Sequence, residues 1–133
     1  MTTTVQKVAM VFGVAFLLVA IVGFISPGGM TMQPIAGSGM LLGMFPVNLL
    51  HNIVHLLLGI WGLMASRSWS GAKSYAQITG VVYLALAVCG YFVPGGFGFV
   101  PIGGNDVWLH ALLGVVLVFF GFTSKAETVA ATP

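Results

Sequence analysis

Gly13-Val-Ala-Phe-Leu-Leu-Val-Ala-Ile-Val-Gly23 runs into Phe24-Ile-Ser-Pro-Gly-Gly29, and Gly80-Val-Val-Tyr-Leu-Ala-Leu-Ala-Val-Cys-Gly90 runs into Tyr91-Phe-Val-Pro-Gly-Gly96. The two stretches align without a gap and share both bounding glycines and the Pro-Gly-Gly stop. After each, the chain continues into a second apolar run in which His55-Leu-Leu-Leu-Gly59 matches His110-Ala-Leu-Leu-Gly114. This predicts two copies of a helical hairpin. An even number of spans per copy makes both enter the membrane from the same side, related by a pseudo-two-fold along its normal, so equivalent residues lie at equal depth.

The membrane itself follows from composition: of 133 residues, 59% are apolar and 5% charged, too few charges to cover a soluble domain. Four runs are long enough to approach the roughly 30 Å hydrocarbon thickness, at residues 8–25, 46–65, 75–93 and 106–122. The fold class is therefore all-α, a transmembrane four-helix bundle forming one domain over residues 1–125, with a short polar tail at 126–133. The run behind Lys7 exceeds a signal-peptide core and reads as an uncleaved first span. Pro27 and Pro94 end spans, and Pro46 opens the second at a position where its missing N–H costs little. Gly13, Gly23, Gly59, Gly80, Gly90 and Gly114 are placed for close helix packing.

Lys7, Arg67, Lys73 and Lys125 flank the spans on one side, which puts both termini and the middle loop in the cytoplasm of a plasma-membrane protein. Trp69 and Tyr75 fit the aromatic belt on that side. The net charge of +2 offers no basic patch for nucleic acid, and Cys89 alone excludes an internal disulfide. Residues 28–45 form a methionine-rich, nearly uncharged loop expected on the outer interface or over the bundle. Its methionines read as gap fillers before they read as soft-metal ligands.

The polar residues of the spans carry the chemistry. His51 and His55 share a helix face, as do Asp106 and His110, and the repeat superposes His51 on Asp106 and His55 on His110. All three histidines thus converge with the only carboxylate in or bordering a span. Four readings compete. The first is a clasp holding the hairpins together, in which Asn48, His51, Asn52, His55, Asp106 and His110 hydrogen-bond to one another and to loop backbone, and Asp106 or Asn105 also caps the fourth span. The second is a zinc-like transition-metal site of His51, His55, Asp106 and His110, with Asn48, Asn52 and Asn105 holding the outer ring nitrogens. The third makes His55 and His110 the axial pair of a haem b. The fourth is a proton or ion relay continued by Tyr83, Thr79 or Gln77. Serine-triad, phosphate-loop and dinucleotide patterns are missing, so an enzyme is the weaker expectation, open only to metal-assisted hydrolysis.

Pro46-x-Asn48-x-x-His51-Asn52-x-x-His55-x-x-x-Gly59 followed by Asn105-Asp106-x-x-x-His110-x-x-x-Gly114 resembles a bacterial family of small four-helix membrane proteins catalogued as a domain of unknown function. The resemblance spans about Lys7 to Phe122 and implies a plasma membrane, with no activity, cofactor or partner attached. A bundle this small also suits an accessory component of a larger membrane complex or a self-associating one, and clasp plus accessory role is the leading expectation.

Overall fold

The computed structural model describes residues 2–32 and 39–126. Within them lie four helices, α1 (Thr4–Ile25), α2 (Leu49–Ala65), α3 (Trp69–Phe92) and α4 (Asn105–Thr123), and a small hairpin of β1 (Gly39–Leu41) and β2 (Phe45–Val47). The helices α1, α3 and α4 are long and apolar enough to cross a membrane. The 17 residues of α2 make a rod of about 25 Å, shorter than the hydrocarbon layer.

Local chemistry sets the helix ends. The Thr3 N–H donates to Gln6 Oε1 at 3.1 Å, and Gln6 Nε2 donates onward to the Ser66 carbonyl at 3.0 Å, which ties the start of α1 to the end of α2. The Ser68 hydroxyl accepts the Gly71 N–H and starts α3, one and a half turns before the expected Tyr75. Pro46 does not open the second helix. It lies in β2, paired with Met40, and Asn48 is the N-cap. Proline and the extended backbone that precedes a cap are compatible, so the first proline after a loop is not necessarily the first helical residue. The hairpin turns through Leu42 and Gly43, both at positive φ. α4 begins after Gly104 with no side-chain cap, so neither Asn105 nor Asp106 serves the capping role expected of it.

α1 packs chiefly on α2, and α3 on α4. Close approach at glycine allows this. A Cβ at Gly59 would lie 2.8 Å from Leu17 N, and one at Gly114 would lie 2.9 Å from Leu84 N. Gly13 would meet Leu63 N at 2.8 Å and Gly80 would meet Val118 N at 2.7 Å. Gly23 faces the Asn52 side chain and Gly90 the Ile102 carbonyl, each too close to admit a methyl group. The core between hairpins holds Val5, Ala9, Phe16, Ala65, Ala72, Tyr75, Ala76, Tyr83 and Leu117. Tyr75 is fully buried there, edge-on to Trp61, and so leaves the aromatic belt expected of it; only Trp69 of that pair stays half-exposed. The hydroxyls of Tyr75 and Thr79 have no hydrogen-bond partner.

Candidate metal centre

Asn48 fixes the site's first element. Its Oδ1 accepts the His51 N–H at 2.8 Å, which starts α2, and its Nδ2 donates to the Phe99 carbonyl at 2.7 Å, which brings the loop between α3 and α4 over that start. His51 consequently sits in the first turn of α2, and His55 one turn on. Asp106 and His110 occupy the same relation in the first turns of α4.

His51, Asp106 and His110 are all buried, and each offers a ligand atom lying within 4.8 Å of the other two. No hydrogen bond joins them. His51 Nδ1, His110 Nδ1 and Asp106 Oδ2 are buried and without a partner. A buried polar atom without a partner costs about 1–3 kcal/mol, and His55 Nδ1 and Asn52 Oδ1 nearby are unpaired as well, so this end of the bundle gathers several unsatisfied groups. Two imidazoles and a carboxylate are borderline ligands suited to zinc or to ferrous iron, and three protein ligands leave a position open. Ligand atoms about 2.0–2.1 Å from zinc are about 3.3 Å apart across a tetrahedron, so side-chain torsions that close the triangle by up to about 1.5 Å would bring all three onto one ion.

His55 stands beside this triad rather than in it. Its ring centroid is 4.5 Å from that of His51, but its Nε2 pairs with the Tyr83 hydroxyl at 3.1 Å, and Phe16 lies flat on it at 5.5 Å. Tyr83 also presents its face or edge to His110, centroids 5.0 Å apart at 87°. For the haem pairing of His55 with His110, Tyr83 is the residue in the way: its hydroxyl is bonded to His55 Nε2 and its ring touches that of His110. Tyr83 is the residue that sequence reasoning underrated. It stands against Phe16 in the repeat, and the added hydroxyl at that one position was the available signal.

The three asparagines expected on the outer ring nitrogens do other work. Asn48 holds Phe99, Asn52 Nδ2 donates to the Gly29 carbonyl at 2.9 Å, and Asn105 Nδ2 donates to the Met44 carbonyl at 3.1 Å. Each ties a helix start to a loop, so backbone carbonyls compete successfully for the amides. Asn105 Oδ1 takes the Trp108 indole N–H at 3.2 Å.

Two apolar cavities open beside the cluster. One of about 320 Å³ lies between α2 and α3, walled by Val54, Leu58, Val82 and Leu86 and roofed by Phe97 and Ile102. The other, about 190 Å³, lies between α1 and α4 beneath the β-hairpin, where Leu41 and Val47 cover it. His51, His55, Tyr83 and His110 border both.

No curated protein and no solved structure matches the chain. A family model does, over residues 6–123, from the first turn of α1 to the end of α4, and it includes every residue of the cluster. The chain therefore belongs to the family described as Domain of unknown function (DUF4383).

Proposed function

We propose that this is an integral plasma-membrane protein that holds one divalent transition-metal ion, zinc-like in its ligand preference, between His51, Asp106 and His110. One observation carries the reading: three buried side chains from two helices, His51, Asp106 and His110, each bring a ligand atom within 4.8 Å of the other two and make no hydrogen bond to one another. The asparagine bonds to the Gly29, Met44 and Phe99 carbonyls are what a clasp would make, whereas His51, Asp106 and His110 make none to one another. Metal coordination satisfies all three at once, and neutral imidazoles with one carboxylate limit the net buried charge.

The site belongs to a bundle in which α2 also crosses and the two hairpins are copies, with both termini in the cytoplasm. The paired glycine contacts support the repeat: Gly59 on Leu17 matches Gly114 on Leu84, and Gly13 on Leu63 matches Gly80 on Val118, each at the register that the sequence alignment assigns. The four basic residues at one end support the orientation.

Elemental analysis of the purified full chain tests the metal. About one transition-metal ion per chain is expected, lost in Asp106→Asn and in His110→Ala. A metal-free chain with undiminished thermal stability, or one that co-purifies with a larger membrane complex and ignores added metal, would overturn the reading in favour of the accessory clasp.

A further inference from the structure

We infer that the cavity between α2 and α3 receives the chain of a lipid-soluble carboxylic acid, whose carboxylate takes the open position of the metal. This inference rests on the metal reading and starts from charge. A divalent ion with Asp106 as its only anionic ligand keeps a formal charge of +1, in surroundings where an uncompensated charge is expensive. Among the described residues Asp106 is the only carboxylate side chain, the chain's other one being Glu127. The remaining negative charge comes either from a bound hydroxide or from an anionic ligand, and an apolar approach to the metal favours the ligand.

The route to the site selects which anion. The cavity reaches the cluster from the side, between the two helices that belong to different hairpins, and its outer walls are Val54 and Val82, 41% and 46% exposed on faces that lipid would cover. Leu58 and Leu86 line its length, and the histidines lie at its inner end. An inorganic anion has no favourable path along such walls, whereas an acyl chain is stabilised by them at about 25 cal/mol per Å² of apolar surface covered. At about 320 Å³ the volume sits at the small end of ligand pockets and fits one chain rather than two. His55 borders the same cavity and keeps its Nδ1 buried and without a partner; in the tautomer in which the Tyr83 O–H donates to Nε2, that nitrogen carries the ring proton.

The test uses the full chain loaded with cobalt(II), in bilayer discs of phosphatidylcholine cleared of free fatty acid, titrated with palmitate. The visible cobalt bands are expected to change saturably at one palmitate per chain. Acetate, which lacks the chain, should need at least 100-fold more, and hexadecanol, which lacks the charge, should leave the bands unchanged. Val82→Trp, and separately the milder Val54→Phe, should keep the cobalt and weaken palmitate at least tenfold. Bands that ignore palmitate, or that respond equally to acetate, would overturn the cavity assignment while leaving the metal in place. Failure to bind cobalt at all would remove the metal reading and this inference with it.

Discussion

At His51, Asp106 and His110 the decisive fact is that three ligating side chains stand close together and make no hydrogen bond to one another. Three buried atoms without partners would each cost about 1–3 kcal/mol in a protein that had no use for them. Two substitutions separate their role from that of the neighbouring imidazole. Asp106→Asn and His110→Ala should weaken zinc by more than the roughly 10–100-fold usual for losing an outer partner of a ligand, whereas His55→Ala should stay within that range; competition with a chromophoric chelator reads both. Helical spacing made the triad legible: residues four apart share a face, and the repeat superposes the two faces. The same logic placed His55 with His110, and there it was incomplete. Phe16 and Tyr83 are equivalent positions, but only Tyr83 carries a hydroxyl, and the bond it makes holds His55 beside the triad. A repeat predicts backbone positions well and side-chain partners only where both copies have the same neighbours.

Helices were readable from apolar length, and the β-hairpin was not, because three-residue strands are too short to show a period. Its position follows from contacts far apart in sequence, Asn105 to the Met44 carbonyl among them, which no local pattern announces. The start of α2 was misplaced for a related reason. Pro46 and Asn48 are both start signals, and the asparagine prevailed because it satisfies a helix N–H and a loop carbonyl together. Asn48→Ala should therefore cost about 1–3 kcal/mol, a cap plus one further bond, measured by denaturation in detergent. On α3 the opposite sign is expected. Thr79 is buried with its hydroxyl unpaired, so Thr79→Val removes a penalty without removing a bond and should leave the melting temperature unchanged or raise it.

For the whole bundle, the two hairpins should answer alike to the same injury. Gly59→Ala and Gly114→Ala each push a methyl group into a leucine backbone nitrogen at nearly equal distance, so each should destabilise by about 1–3 kcal/mol, and by similar amounts, in the same denaturation assay. Orientation has its own check. In a Cys89→Ala background, an impermeant thiol reagent applied to intact cells should label the Met44→Cys variant and spare the Ser124→Cys variant.

The side chains of His51, His55, Tyr83 and His110 form a partition common to the two crevices. A partition cannot yield on one face without intruding on the other. Whatever occupies the α2–α3 side therefore sets how much room remains beneath the hairpin, and by reciprocity anything that presses on the hairpin from outside changes, by the same factor, the hold on that occupant.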